Sequence, residues 1–454
     1  MVHEVGQLSA HGESQMPLRA RSSTGRRSST RKASLVKYVG LLYIFSTPLD
    51  LVELDLVAFP VRSPTAIVGG LFIAMWVFDL ARRNASLPKH GRVLVSGILF
   101  VFWSALTTAW SVAPDVTVST SLSTVVLLLS AVAIGTVFRE QLGAPAWALV
   151  LGAFSVAVLT LTFGGPEYYD AGGTTLQGQQ WTFQGIDQNA LSFHLALGLA
   201  AGLYLLRKRD STLLKVGLLA MVGILVATTL LVGSRSGVGA EIGIFLVVIL
   251  LSARRGFGLV GAVLLVSIAL VPIKFLADAG RIPDRIVQWV SNPVATDSRD
   301  EIIALYRETG GDWFWFGVGK GADADYLQFA ANSYLNAHSA FWKTWIETGL
   351  IGLVFFSGFL LGIAVIAWRS PERDFFLLTG VPIIIFFYTL GPINSNMLWA
   401  VFGLALGMPV IARANAHSPL SRSPAGPLHR SPPPIARAPV HEPTPEVPQT
   451  RVGR

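Results

Sequence analysis

The chain has no cysteine and little charge: 14% of its 454 residues are Asp, Glu, Lys or Arg, where a soluble domain carries roughly 25%. Without cysteine there is no disulfide, no thiolate nucleophile and no cysteine-ligated metal. The compartment stays open on that ground, because many membrane proteins outside the cytosol also dispense with disulfides. The low charge, with 52% hydrophobic residues and a mean hydropathy of +0.55, excludes an ordinary soluble domain. No cleavable signal peptide is expected, since residues 1–34 are polar and the first apolar run is followed by many more.

What the chain has instead is a series of apolar runs, each able to cross a ~30 Å hydrocarbon core. They predict an all-α fold, a polytopic transmembrane helical bundle of about twelve spans. These lie near 37–54, 65–81, 93–110, 119–138, 145–163, 189–206, 213–231, 237–252, 257–275, 339–368, 375–391 and 394–412. The first is the weakest, because Pro48, Asp50, Glu53 and Asp55 crowd its far end. Three regions follow: a disordered basic arm at 1–35, a transmembrane domain at 36–412, and a disordered proline-rich tail at 413–454. Arg19, Arg21, Arg26, Arg27, Arg31 and Lys32 suit the arm to an anionic membrane surface.

The net charge of +8 does not point to nucleic acid, because about 26 of the 35 Lys and Arg fall in the two tails and in alternate loops. Those loops carry Arg82, Arg83, Lys89 and Arg92; Arg139; Arg207, Lys208, Arg209 and Lys215; Arg254 and Arg255; Arg369 and Arg373. The intervening loops have almost no basic residue before Arg235, apart from Arg62. The positive-inside rule then places both termini in the cytoplasm, with the other loops outside. Two of those outer loops exceed a turn: Gly164 to Gln188, and a polar island at about 277–337. Within the island, 282–289 reads as an interfacial amphipathic segment, and 298–309 as a short helix stopped by Gly310 and Gly311.

Candidate chemistry gathers around this island. In Gly233-Ser234-Arg235-Ser236-Gly237 the small residues allow a tight turn and leave Arg235 accessible. Its planar guanidinium suits a bidentate phosphate contact; a snorkelling interfacial arginine has the same sequence. Arg299, in Asp297-Ser298-Arg299-Asp300-Glu301, could hold a second phosphate or pair with a neighbouring acid, and Arg281, Arg285 and Arg307 are weaker candidates of the same kind. Phe316-Gly317-Val318-Gly319-Lys320-Gly321 is not a nucleotide loop, because Gly321 stands where Ser or Thr must follow the lysine. Its glycines instead predict a tight turn lying close to the membrane. Asp323 and Asp325 offer two acids, too few for a divalent ion, and no cofactor or metal is expected.

His338 opens the tenth span from outside and can act as a general base near neutral pH; an interfacial histidine satisfied by backbone or water is the plainer reading. Glu347 lies nine residues further on, about two and a half turns away. It therefore reads as a buried hydrogen-bonding acid and not as a partner of His338.

The set of motifs, in this order and topology, resembles the O-antigen ligase and O-antigen polymerase superfamily of bacterial envelope glycosyltransferases. The likeness runs over about 215–365: the Gly233–Gly237 corner, a long outer loop with Arg299, the Phe316–Gly319 turn, then Ala337-His338-Ser339 leading to Glu347-Thr348-Gly349-Leu350-Ile351-Gly352. Ser339 departs from the asparagine often found there. The resemblance implies a GT-C-like bundle, a polyprenyl-diphosphate-linked glycan donor, and a glycan or glycolipid acceptor. It further implies metal-independent inverting transfer at the outer leaflet, with Arg235 and Arg299 holding the diphosphate and His338 as base. A secondary transporter or a lipid-linked glycan flippase is the rival. A transporter would place polarity in mid-span repeats, and a flippase would need charges deep in several spans, for which Asp79 and Glu241 are about the only candidates.

Overall fold

A computed structural model describes residues 35–52, 63–83, 87–169, 178–253, 286, 304–309, 311, 313–331 and 338–410. These belong to one of two compact units, Met1–Ile411; the other, Ala412–Arg454, lies outside the described residues, as do the basic arm, the expected span at 257–275 and Arg299.

The helices are α1 (Leu35–Ser46), α2 (Pro64–Arg83), α3 (Gly91–Leu106), α4 (Pro114–Val137), α5 (Gly143–Phe163), α6 (Gln188–Lys208), α7 (Thr212–Val232) and α8 (Arg235–Ala253). After the island come α9 (Asp323–Ala331), α10 (Ala340–Arg369), α11 (Arg373–Thr389) and α12 (Asn396–Leu406). Among the described residues, eight helices are long and apolar enough to cross a membrane: α2 to α8 and α10. Three expected spans are shorter. Helix α1 has 12 residues because the Ser46 and Thr47 hydroxyls donate to the Tyr43 and Ile44 carbonyls, and Pro48 turns the chain into a 3-10 segment. Helix α11 has 17 residues, and α12 has 11 before Gly407. The sequence reading did not foresee the antiparallel hairpin of β1 (Gly165–Tyr169) and β2 (Gly178–Thr182), in which Gly165 pairs with Thr182. Five residues per strand are too few for a periodicity to show against the apolar runs.

From α1 to α8 successive helices alternate direction, and so do α10 to α12. One end of the bundle is basic, and the other carries the α7–α8 corner, His338 and Gly391. Helix α6 is the centre: 83% of its apolar window is buried, against 22% for α2 and 28% for α3 and α10. Small residues allow that position. Gly198 abuts Ala153 of α5, and Gly403 and Gly135 bring the backbones of α12 and α4 into direct contact. Helices without a hydrophobic driving force between them associate through such close packing.

Polar ties close each end. At the basic end Lys208 pairs with Glu372 at 2.9 Å, Tyr204 donates to the same carboxylate at 2.9 Å, and Arg207 reaches Ser252 and Asp374. At the opposite end the Asp50 carboxylate accepts from Ser63 (2.5 Å) and Asn396 (2.7 Å), while Tyr43 donates to Asn396 (2.9 Å). Buried His194 joins the Ala190 carbonyl through Nδ1 (2.7 Å) and the Ser395 hydroxyl through Nε2 (3.2 Å). A carbonyl only accepts, so Nδ1 carries the proton.

Candidate functional site

The α7–α8 corner is built by its small residues. Gly233 ends α7 at φ 76°, the left-handed region that glycine enters freely. Ser234, buried, accepts the Gly237 amide at 3.1 Å and donates to Asn189 of α6 at 2.9 Å. Gly237 then packs on Ser192 and Thr229, where a methyl group would collide. Arg235 is thus the first residue of α8, half-buried, on a corner fixed from both sides.

The second part is a break in α10. Gly349 has φ 67° and ψ −176°, a conformation essentially restricted to glycine. A broken helix in a membrane leaves backbone groups that need partners, and the turn 313–322 supplies them. The Val318 and Gly319 amides donate to the Ile346 and Glu347 carbonyls at 2.9 and 3.0 Å, and the Leu350 amide donates to the Phe314 carbonyl at 2.9 Å. Gly317, Gly319 and Gly321 all have positive φ, and Gly317 lies so close to the Glu347 carbonyl that no side chain fits. The glycine turn is therefore a plug for a broken helix. Gly349→Ala is expected to lower stability in detergent by at least about 2 kcal/mol, because its methyl would also strike the Trp315 carbonyl. Gly380→Ala, where a methyl meets nothing within 4 Å, is the control.

The plug also delivers Lys320, which the failed phosphate-loop pattern had left without a role. Its ammonium meets the Glu347 carboxylate at 2.5 Å, with both side chains 0% exposed. Lys343 lies 3.5 Å from Glu347 and 3.0 Å from Asp323, completing two cations and two anions. A second apolar core covers them, including Trp313, Val318, Tyr326 and Ile346. The reading of Glu347 as a buried acid holds, and its partner is Lys320. Asp323 is engaged with Lys343, and the described residues contain no cluster of three or more His, Asp or Glu suited to a metal.

His338 is exposed, one residue before the N-cap Ser339, whose carbonyl accepts the Lys343 amide at 2.8 Å. Its level relative to Arg235 follows from α11. Gly243 of α8 faces Val381 and Ile385 of the antiparallel α11. Arg235 lies eight residues before Gly243, about 12 Å along the axis, which brings it level with Gly391. Gly391 in turn touches the backbone of Ser339 and Ala340. Arg235 and His338 therefore both lie towards the C-terminal end of α11. Arg299 lies outside the described residues.

Two groups escaped the sequence reading entirely, His194 with Ser395 and Asp50 with Asn396, because their partners are 201 and 346 residues apart. Lys320 could have been found: an acid inside the apolar run 339–368 requires partners, and Lys343 and Lys320 are the two nearest lysines upstream. Glu241 is buried in α8 beside Thr229, with Oε1 lacking a hydrogen-bond partner among the described residues. Asp79 is half-buried on α2. No protein-family model and no curated protein matches this chain.

Proposed function

We propose that the protein is a membrane glycosyltransferase of the O-antigen ligase or polymerase type. It would move a glycan from a polyprenyl-diphosphate donor to a hydroxyl of a lipid-anchored or growing glycan acceptor. The observation that carries this reading is that Arg235, which opens α8, and exposed His338, which precedes α10, lie at the same end of α11. A site of that kind needs a cation for the leaving group and a base for the nucleophile within one layer. The charge pattern of the loops supports placing that layer on the outer face of a bacterial inner membrane, with both termini in the cytoplasm. Helix α8 ends at the basic end and α10 starts at the opposite one, which supports the ninth span at 257–275 and the count of twelve in a GT-C-like bundle.

In the proposed step, the acceptor hydroxyl gives its proton to the His338 imidazole as its oxygen attacks the anomeric carbon. The bond from that carbon to the diphosphate oxygen breaks on the opposite face, and the polyprenyl diphosphate leaves with the electron pair, inverting the configuration. Negative charge grows on the diphosphate, where fixed guanidinium groups stabilise the transition state most effectively. Arg235 takes this role, and Arg299 is assigned it by resemblance. Transfer of this kind needs no metal. Removing one such donor costs roughly 10²–10³ in rate, so Arg235→Ala should leave little mature surface glycan and accumulated lipid-linked precursor when it replaces the deleted gene. Arg235→Lys, which keeps charge without the fork, should recover only part of the rate. Normal glycan in the deletion strain itself would sink the proposal and favour the transporter.

A further inference from the structure

The turn that plugs α10 has an outward side which the transfer chemistry does not use. Trp313 and Val318 point into the second core, whereas Trp315 and Phe316 are 58% and 53% exposed, and neighbouring Phe314 is also exposed. Around them lie Trp110, Trp103, Trp342 and Trp345: Phe316 contacts Trp103 and Trp110, Phe314 contacts Trp315 and Trp345, and Trp342 stacks on Trp345. No charged side chain occurs from Trp313 to Val318.

The depth of this patch can be measured twice. The segment Gly91–Trp110 has 20 residues, about 30 Å of helix, so starting from the basic end it places Trp110 at the far edge of the hydrocarbon. Leu350 to Arg369, the part of α10 beyond the break, is also about 30 Å long, and the contacts of Gly352, Gly358 and Gly362 with Trp103, Ser96 and Val93 put Gly349 within about one turn of that edge. The two rulers are tied together directly: Trp103 donates to the Thr348 carbonyl at 2.7 Å and Trp110 to the Gly317 carbonyl at 3.1 Å. The helix break, its plug and the exposed rings thus lie within about one turn of the end of the membrane-spanning length of α3.

We propose that Phe314, Trp315 and Phe316 form an interfacial anchor seated between the headgroups and acyl chains of the leaflet on the His338 side. The occupant of the patch is bulk lipid. Uncharged rings suit the acyl edge, and the Trp315 indole N–H, which makes no hydrogen bond among the described residues, is left for headgroups or water, the arrangement that enriches tryptophan at membrane boundaries. The turn is a re-entrant element: its amides close the break in α10 from the protein side, and its rings hold the island to the bilayer from the other. This rests on the membrane reading alone and stands or falls apart from the transferase.

The absence of cysteine makes the test clean. In lipid nanodiscs, a spin label on Phe316→Cys should be several-fold more accessible to oxygen than to a water-soluble nickel chelate. The same label on exposed Asp325→Cys should show the reverse. Chelate access at Phe316 would overturn the anchor in favour of a hydrated loop, and exclusion of both relaxants would overturn it in favour of a covering protein or second copy. Trp315→Phe gives an independent reading. The fluorescence it removes should be quenched at least twofold more by lipids brominated near the glycerol end of the chain than by lipids brominated near the methyl end. A component quenched by neither lipid would overturn the proposal as well.

Discussion

Glu347→Ala is expected to destabilise the protein by about 3–5 kcal/mol, the usual cost of orphaning one member of a fully buried ion pair. The reason lies in what it strands. Lys320 is 0% exposed and its ammonium has Glu347 as its hydrogen-bonding partner, with the Phe100 ring 6.0 Å away as the other near contact. Lys320→Met should cost clearly less, since Glu347 keeps Lys343 at 3.5 Å and methionine fills a similar volume. Lys320→Met combined with Glu347→Leu should recover most of the loss, because apolar replacement of a whole buried pair is often neutral. Unfolding of wild type and the three variants in detergent checks the order. Equal losses in the two single variants would show that Lys343 does not hold Glu347.

His338→Ala is expected to lower glycan transfer by roughly 10²–10⁴, the range contributed by a positioned general base, while leaving the fold intact. The residue is exposed and precedes the N-cap of α10, so its removal opens no cavity. Thermal unfolding within about 0.5 kcal/mol of wild type, as for an ordinary surface substitution, with lipid-linked precursor accumulating in the membrane, would separate chemistry from structure. Transfer at the wild-type rate would remove His338 from the mechanism without touching the helical bundle. The two predictions divide the region. Loss at Glu347 acts through the scaffold, whereas in the proposed transfer loss at His338 would act on the reacting hydroxyl.

Much of the scaffold was legible because hydropathy and charge are local quantities. Each of the eight long apolar helices lies on an expected span. The corner at Gly233 and the turn at Gly317–Gly321 were also legible, since glycine runs mark places where the backbone must turn tightly. Short helices were not. Helix α1 stops where Ser46 and Thr47 bond to carbonyls and Pro48 follows, a local competition that a hydropathy window averages away.

The sequence by itself determined that this is a helical membrane protein and where its eight long apolar helices run, because a bilayer selects on length and apolarity one segment at a time. Only the tertiary structure decided that Gly349 breaks α10, that the turn at Trp313–Ala322 fills the break, and that Lys320 meets Glu347 across 27 residues of chain. It likewise decided that Arg235 and His338 lie towards the same end of α11. Those outcomes depend on which backbone groups are left unsatisfied and which side chains can reach them, and that is settled by helix packing and register.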